Sequence, residues 1–428
     1  MSPPDALAEL ARGLPGYDAD DLPVPVAQAF IARMLPPVRV VEHLSLRAAL
    51  DRVLAHDIVA GLDVPAHDNA AMDGYALRGS ELREGAASVL AVVATELAGD
   101  AAAPAAGPGE CVRIMTGAVM PPGLDTVVPQ ELVQREGARI MIPAGAVRPG
   151  ANRRLAGEDL ALGSIALPAG RRLRPADLGL LASLGRAEVP VWRRPRVAFF
   201  STGNELRPVG EPLDAGGVYD SNRYTLWGML QRLGVEVLDL GIVRDEPASL
   251  EATLRHAAEN ADVVITSGGV SVGEADHTRA VMARLGEVLF WRIAMRPGRP
   301  MAVGRLHSAG REALLFGLPG NPVAVMVTFY TFVREALLAM SGATPVPLPR
   351  LVAACTTTIR KRPGRTEYQR GIVSRDAQGA WQVAITGSQG SGVLRSMSEA
   401  NGLVVLAPEQ GDVAAGSLVE VLPFDGLV

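Results

Sequence analysis

The stretch 196–206 reads RVAFFSTGNEL and decides the fold class of the largest domain. Its apolar part, Val197–Phe200, is typical of a buried strand, and the Ser-Thr-Gly-Asn that follows ends that strand. Further strand-like runs alternate with helical patterns downstream, and they are Val235–Leu240, Val263–Thr266, Val288–Ile293 and Leu314–Phe316. This alternation predicts an α/β domain with a doubly wound, mostly parallel sheet, which we place at residues 186–342.

The rest of the chain is predicted to form further domains, so the whole is a multi-domain protein of the α/β plus β class. Short β-type runs between Gly and Pro turns predict a strand-rich domain at residues 61–142. Residues 1–60 and 143–185 are assigned to an N-terminal and linker domain, with helices expected at Val38–Asp57 and Pro175–Leu184. Strand patterns return in residues 343–428 and predict a small C-terminal β domain.

The composition is that of an ordinary globular protein, and the net charge of −5 argues against nucleic acid as a partner. Cys111 and Cys355 are far apart and lack metal-ligand spacing, so neither a disulfide framework nor a zinc site is expected. The N-terminal sequence lacks the pattern of a secretion signal. The longest apolar run, Val323–Val333, is too short to span a bilayer. We therefore expect a cytoplasmic protein without a membrane partner.

Unusual loops follow the predicted strands at the edge of the sheet where ligands of doubly wound proteins bind. Two of these loops are rich in glycine and lead into helix N-termini, which favour phosphate. Their candidate binding residues are Gly268, Gly269, Ser271, Pro319, Gly320 and Asn321. The carboxylates Glu205, Asp245 and Asp276 are expected at the same edge, as catalytic residues and as ligands of Mg²⁺ bridged to phosphate. Alternatively, Asp245 and Asp276 only cap helices.

A second hypothesis comes from the segment 269–273, which reads GVSVG and matches the nucleophile elbow of α/β-hydrolases. It would make Ser271 the nucleophile of a serine hydrolase, with His277 or His307 as the base. No oxyanion motif or acid partner in the expected order accompanies it. The paired glycines are better suited to bringing the backbone close to a phosphate.

Three arginines, Arg292, Arg296 and Arg299, are clustered in an acidic protein. They are either a solvated strand end or a positive pocket for an oxyanion, since guanidinium groups bind oxyanions through paired hydrogen bonds. Neither a Walker A sequence nor a GxGxxG motif occurs in the chain, so ordinary nucleoside triphosphate or dinucleotide binding finds no support.

Several segments, in order along nearly the whole chain, resemble one family. They are Asp68–Ala76, Ile114–Gly117, Gly157–Asp159, Ser201–Leu206, Ser267–Asp276, Gly317–Pro322 and Arg365–Gly371. Their combination is similar to the molybdopterin molybdenumtransferases, the MoeA family, which is related to the gephyrin E domain. Any one segment alone would be a weak signal, but the combination is specific.

The resemblance implies an elongated four-domain homodimer with composite active sites, whose α/β domain is of the molybdopterin-binding type. It implies adenylylated molybdopterin and molybdate as substrates, a requirement for Mg²⁺, and release of AMP with the finished cofactor. It also implies contact with the pterin-adenylylating enzyme and other proteins of cofactor synthesis. A non-catalytic cofactor-binding scaffold, as in the gephyrin relationship, is the alternative, although a scaffold has no need for a carboxylate-rich phosphate site.

By motif match, the resemblance assigns functional positions in all four predicted domains. The catalytic set adds Asp68 and Asp159 to the three carboxylates named above, and the substrate-binding set adds Thr116, Arg365 and Ser388, with Ser391 as an alternative to Ser388. Two departures from the family pattern are that arginines replace the expected lysines at 292, 296 and 299, and that Asn204 stands where an acidic residue is common. These departures leave the choice between molybdate and tungstate open.

Overall fold

The structure of the protein, a computed structural model, describes residues 6–100, 104–270, 275–346, 348–425 and 427, without the side chains of residues 275–277. The chain divides into two compact units. One comprises Met1–Glu42, Asp51–Val53 and Trp192–Val428, and the other comprises His43–Leu50 and Leu54–Val191. The first unit holds the α/β domain and the C-terminal β domain.

The N-terminal segment contributes two helices, α1 (Ala6–Arg12) and α2 (Val24–Met34), to the core of the first unit. Phe30 of α2 packs its ring edge-on against Trp291, with the ring centroids 5.1 Å apart. The indole nitrogen of Trp291 donates a hydrogen bond of 2.9 Å to the hydroxyl of Tyr17. These aromatic contacts attach residues 17–34 firmly to the α/β domain.

Residues 41–192 are rich in strands. The strands are β1 (Val41–Ser45), β2 (Ile58–Val59), β3 (Asn69–Ala70), β4 (Gly74–Leu77), β5 (Ser88–Glu96), β6 (Glu110–Ile114), β7 (Thr126–Pro129), β8 (Gln134–Glu136), β9 (Arg139–Ile142), β10 (Arg153–Arg154), β11 (Ile165–Leu167) and β12 (Glu188–Trp192). Six of them form one sheet in the order β7-β4-β6-β5-β9-β8, antiparallel except for the β5–β6 pair. The helix α3 (Pro175–Ser183) follows β11, in agreement with the helix predicted there.

The helix predicted at Val38–Asp57 is wrong. This segment forms β1 and then a short 3-10 helix, Leu46–Ala49. Asp51 has a φ of +62°, in the left-handed region that interrupts a right-handed helix. Leu54 instead bonds through its backbone to Arg171 and Gly170, more than a hundred residues later in the chain. Pairing with a distant segment thus overrides the local helical spacing.

The α/β domain confirms the predicted doubly wound sheet. Its strands are β13 (Arg196–Thr202), β14 (Leu206–Arg207), β15 (Val218–Tyr219), β16 (Glu236–Val243), β17 (Val263–Ser267), β18 (Gly286–Arg292), β19 (Met295–Arg296), β20 (Pro300–Ser308) and β21 (Arg311–Leu318). Its helices are α4 (Ser221–Leu233), α5 (Pro247–Asn260), α6 (Ala275–Leu285), α7 (Pro322–Thr328) and α8 (Arg334–Met340). In the order β16-β13-β17-β21-β20-β18 the first four strands are parallel, and β20, which was not predicted, pairs antiparallel with both β21 and β18.

A π-helical turn, Phe329–Val333, joins α7 to α8 in one continuous apolar helix. Within the described residues, this helix, Pro322–Met340, is the one long and apolar enough to cross a membrane, by length and composition. The prediction that the apolar run is too short is wrong here, because the helix continues past Val333. However, 78% of its apolar window is buried inside the protein, as in the core helix of a globular domain.

The C-terminal domain is a small β domain, as predicted, and its sheet closes into a barrel. It consists of β22 (Leu351–Cys355), β23 (Thr366–Arg375), β24 (Trp381–Ile385), β25 (Gly402–Leu406) and β26 (Leu418–Pro423), with the helix α9 (Leu394–Glu399) before β25. The sheet closes because β25 pairs with both β26 and β23. The short strand β19 of the α/β domain pairs with the start of β23, which joins the two domains by backbone hydrogen bonds.

Candidate active site at the carboxyl edge of the sheet

The sheet order changes direction at β13, which has β16 on one side and β17 on the other. Outside such a switch point, the carboxyl ends of parallel strands leave a crevice for ligands. After β17, Gly268 and Gly269 have φ angles of +94° and +70°. A Cβ atom at Gly268 would lie 2.4 Å from the carbonyl oxygen of Thr202 at the end of β13. The structure therefore places the glycine backbone of this loop directly against the end of β13, an approach that a residue with a side chain could not make.

The loop after β21 meets the loop after β17 at the same edge. The amide of Gly268 donates to the carbonyl of Leu318 over 3.1 Å. Gly320 lies near Gly268, because a Cβ atom built on Gly320 would be 3.9 Å from the Cα of Gly268. Pro319 and Asn321 flank Gly320, and Pro322 begins α7. The glycine loops that the sequence predicted separately thus form one continuous surface.

Asn222 and Asp220 are site residues that the sequence analysis missed. The side-chain nitrogen of Asn222, in the first turn of α4, donates to the hydroxyl of Ser267 (2.8 Å) and to the carbonyl of Gly320 (2.7 Å). The carboxylate of Asp220 accepts from the backbone amide of Arg223 and from the hydroxyl of Ser201. Asp followed by Ser and Asn before a predicted helix is an N-cap signal, but it does not name the distant partners.

The Asp220 carboxyl is the strongly buried acid of this edge, with 2% of its surface exposed. Burial raises the pKa of Asp220 above its ordinary value, while its hydrogen bonds from the Arg223 amide and the Ser201 hydroxyl lower it in part. The carboxyl therefore links β13 to the start of α4 in an environment that disfavours its charged form.

Two of the three predicted metal ligands lie at this edge. The hydroxyl of Thr202 donates to Asp245 over 3.5 Å, and the backbone amide of Asp245 donates to the side chain of Asn204 over 3.3 Å. The carboxylate oxygens of Glu205 lie under Gly203, where a Cβ atom would meet them at 2.6 and 2.7 Å. The third, Asp276, lies in the first turn of α6, and its side chain is outside the described residues.

The described residues contain no group of three or more His, Cys, Asp or Glu side chains placed to hold a metal ion. Glu205 and Asp245 nevertheless suit Mg²⁺, since this ion is usually held by one or two carboxylates together with phosphate oxygens of the substrate. These two carboxylates and the glycine loops occupy the same edge of one sheet.

The three clustered arginines separate in the structure. Arg292 and Arg299 face the N-terminal segment, at 3.9 Å from Asp20 and 4.0 Å from Asp21 respectively. Arg296, two-thirds exposed, faces the C-terminal domain instead, at 3.9 Å from the buried carboxylate of Glu367. All three ion pairs are long and their arginine side chains are at least partly exposed, so the pairs contribute little to stability.

A cavity of about 310 Å³ lies between the α/β domain and the C-terminal barrel at Arg296. Its charged and amide side chains are Arg296, Arg360, Glu367, Gln369, Arg370 and Gln389. Arg365 precedes β23 and is half-buried. Of the predicted oxyanion cluster, the structure thus brings Arg296 to this cavity, together with Arg360 and Arg370, which the sequence analysis did not select.

Arg370 fixes the loop that carries Ser388. Its side chain is 1% exposed and donates to the hydroxyl of Ser396 and to the carbonyls of Ser388, Gln389 and Gly390 over 3.0–3.2 Å. Burial lowers the pKa of the Arg370 guanidinium, and the positive charge of Arg296 adds to this effect. The same loop reaches the α/β domain, because the amide of Val323 donates to the carbonyl of Ser391.

The second unit gathers the other three predicted site positions. The amide of Gly117 donates to Ala70, and the amide of Met120 donates to Asp68, so the Thr116 loop lies beside the Asp68 segment. The strand β10 pairs with β3 and brings Arg153 to 3.6 Å from the Asp68 carboxylate. Exposed Asp159 follows in the adjoining segment, where its amide bonds to the carbonyl of Val64.

Thr116 orders a carboxylate of this unit. Its hydroxyl and its backbone amide both donate to Asp73, over 2.6 and 2.7 Å. These hydrogen bonds hold the pKa of the Asp73 carboxyl below its ordinary value. A charged, exposed acid and the Asp68 carboxylate therefore lie on the same unit as Thr116.

The geometry contradicts part of the hydrolase hypothesis. His307 lies opposite Glu312 near the start of β21, whereas Val270 follows β17 at the carboxyl edge. Leu318 lies six positions after Glu312 along β21, a distance of roughly 20 Å at about 3.3 Å per residue. His307 is thus wrong as a base for this edge. Ser271 and the side chain of His277 lie outside the described residues.

Comparison with known proteins gives consistent matches over most of the chain. Residues 22–185 match the family model described as "MoeA N-terminal region (domain I and II)", residues 198–339 match "Probable molybdopterin binding domain", and residues 352–424 match "MoeA C-terminal region (domain IV)". A molybdopterin molybdenumtransferase of Haemophilus influenzae is 40% identical over 94% of this chain and 98% of its own length. Another, from Nostoc, is 38% identical over 89% of this chain and 88% of its own length.

Solved structures of related proteins have a similar fold over most of the chain. The crystal structure of the molybdopterin biosynthesis moeA protein of Pyrococcus horikoshii OT3 aligns with a TM-score of 0.80 at 29% identity, over 94% of this chain and 99% of that one. A molybdenum cofactor biosynthesis protein of Pyrococcus furiosus aligns with a TM-score of 0.58 at 23% identity, which supports the fold alone.

Proposed function

The chain belongs to the molybdopterin molybdenumtransferase family, a family of transferases in molybdenum cofactor biosynthesis, and we propose that it inserts molybdate into adenylylated molybdopterin with release of AMP. The observation that carries this proposal is the meeting of two glycine loops and two carboxylates at one switch point of the sheet. Gly268 and Gly320 supply backbone close to a phosphate, and Asp245 supplies a metal ligand beside them. Such an arrangement suits a Mg²⁺-bound nucleotide phosphate.

In this proposal, the chain's own residues bind and orient the substrates. The glycine loops hold the adenylate phosphate through their backbone amides. Glu205 and Asp245 hold Mg²⁺, with Asp276 proposed as a third ligand. The metal, when bound, neutralises charge on the phosphoanhydride and on the leaving AMP.

The oxyanion is proposed to bind at the cavity beside Arg296. Molybdate is a tetrahedral dianion, and the cavity offers the charged donors Arg296 and Arg360 with Arg365 nearby in sequence. Arginine keeps its charge and presents paired donors, whereas lysine is a mobile point charge. Arg296→Ala should weaken oxyanion or pterin binding about ten- to a hundred-fold, the loss of one charge-assisted hydrogen bond. Arg296→Lys should restore most of the lost affinity if charge alone matters. Unchanged affinity of Arg296→Ala for both ligands would show that Arg296 is a solvated surface residue without a binding role.

We also propose a cytoplasmic homodimer in which the Asp68, Thr116 and Asp159 positions serve the α/β site of the partner subunit, and contact with the pterin-adenylylating enzyme. Support comes from the grouping of these three segments on one unit. Mixing Asp68→Ala protein with Asp276→Ala protein should then restore part of the activity through hybrid dimers. Full activity of a monomer at micromolar concentration would contradict this arrangement.

The decisive experiment incubates the purified full-length protein with adenylylated molybdopterin, Mg²⁺ and molybdate and follows AMP and finished cofactor by chromatography. We expect AMP release that needs both Mg²⁺ and molybdate. Asp245→Asn should abolish most of it, whereas Glu211→Gln, an exposed acid in the loop between β14 and β15, should not. AMP release indifferent to a chelator and to molybdate would refute the proposal.

A further inference from the structure

Asn222 joins the two glycine loops through a single side-chain amide. Its nitrogen donates to the hydroxyl of Ser267, the last residue of β17, and to the carbonyl of Gly320 in the loop after β21. The Gly320 carbonyl can only accept, so the amide nitrogen must face it. Gly268 and Gly269 follow Ser267 directly, and one side chain therefore spans both loops.

The start of α4 is itself anchored, so Asn222 is held in a fixed place. Asp220 accepts from the Arg223 amide over 3.1 Å and from the hydroxyl of Ser201, in β13, over 3.0 Å. The first turn of α4 thus contacts the ends of three neighbouring strands, β13, β17 and β21. These hydrogen bonds tie the start of α4 to the strand ends.

The hydrogen bonds of Asn222 to Ser267 and Gly320, here called the Asn222 clamp, act beyond the end of the sheet. The paired residues of β17 and β21 end at Ser267 and Leu318, and the amide of Gly268 adds one backbone bond to Leu318. Gly320 lies two residues past this pairing, and glycine has no side chain with which to pack. Removing Asn222 would therefore remove the side-chain link between Ser267 and Gly320.

We propose that Asn222 is a positioning residue for the phosphate of the nucleotide-activated substrate. It sets the distance between the Gly268 and Gly320 loops, and thereby the direction of their backbone amides, without touching the reacting atoms. Donors fixed in advance bind a phosphate more tightly and spend less energy on reorganisation during the reaction. This inference rests on the proposed function of the same edge.

Three variants of the full-length protein test the clamp, with AMP in the presence of Mg²⁺ as the probe. Asn222→Ala removes both hydrogen bonds and should raise the Kd for AMP about ten-fold, equivalent to about 1.4 kcal/mol. Asn222→Asp keeps the shape but turns an acceptor toward the Gly320 carbonyl, so it should bind AMP more weakly than Asn222→Ala. Gln231→Ala removes an exposed amide at the far end of α4 and should match the wild type.

Calorimetric titration gives the Kd values, and amide hydrogen exchange by mass spectrometry gives a readout that needs no activity. We expect faster exchange in peptides covering 267–270 and 317–323 for both Asn222 variants, with little change in thermal unfolding. If the wild type releases AMP but Asn222→Ala shows wild-type hydrogen exchange and wild-type affinity for AMP, the inference about Asn222 is overturned and the proposed function stands. Wild-type protein that released no AMP would instead refute the proposed function, and the exchange data would still decide whether the clamp exists.

Discussion

Replacement of Arg370 by Met tests how the Ser388 loop is held. Arg370 is 1% exposed, and its hydrogen bonds go to the hydroxyl of Ser396 and to backbone carbonyls rather than to the cavity carboxylate Glu367. Its stabilisation comes from four hydrogen bonds, three of them to carbonyls of one loop. Met fills much of the same volume without donors, so the change removes the bonds and leaves little cavity.

The size of the loss follows from these contacts. Hydrogen bonds to a charged group contribute about 1.5–3 kcal/mol each, but several kcal/mol of desolvation oppose them because the cation is buried. Three carbonyls then lose their donor, at about 1–3 kcal/mol for each that stays buried. Of these three residues Ser388 is exposed, so its carbonyl can turn toward water once the donor is gone. We therefore expect Arg370→Met to lower the free energy of unfolding by about 3–5 kcal/mol.

Urea unfolding and limited proteolysis of residues 387–392 measure this effect, and AMP release shows whether the loop serves the reaction. The matched control is Arg375→Ala on the same strand, where the guanidinium lies over the Trp381 ring at 4.1 Å in an exposed position. That cation–π contact contributes about 0.5–1 kcal/mol. An unfolding free energy of Arg370→Met within 1 kcal/mol of the Arg375→Ala value, with an uncut loop, would refute the reasoning.

Three further predictions concern single side chains. Asp220→Asn should keep the helix cap. Because burial raises the pKa of the Asp220 carboxyl in the folded protein, the wild type should become less stable relative to this variant as the pH rises from about 4 through the folded-state pKa. Free energies of unfolding that change in parallel with pH in the two proteins would contradict this. The only lysine, Lys361, is 5% exposed and donates to three carbonyls over 2.9–3.3 Å, so Lys361→Met should cost about 2–4 kcal/mol in urea unfolding. Arg360→Ala beside it, 83% exposed, should cost less than about 1 kcal/mol, and equal losses would show that burial does not matter. Gly268→Ala places a Cβ atom against the Thr202 carbonyl oxygen at a positive φ, so it should lower the free energy of unfolding by about 1–3 kcal/mol or more. It should also abolish AMP binding, which calorimetric titration measures.

Local chemistry in the sequence was enough to predict the α/β domain and the edge of its sheet at which we propose the site. Apolar runs of strand length, such as Val263–Ser267, alternate with helical spacing, and this period belongs to each segment by itself. Positive φ at Gly268 and Gly269 is likewise a local need that only glycine meets without strain. Strand ends of a parallel sheet share one edge, so these loops could be placed together before any contact was known.

Tertiary structure alone decided which side chains complete that edge. Asn222 and Gly320 are separated by 98 residues, and no pattern around either one names the other. Nor did the helical spacing of Val38–Asp57 reveal that Leu54 bonds to a segment more than a hundred residues away. The physical reason is that hydrophobic period and turn chemistry act over a few residues, whereas partner choice for a buried polar group depends on which strands become neighbours in the folded chain.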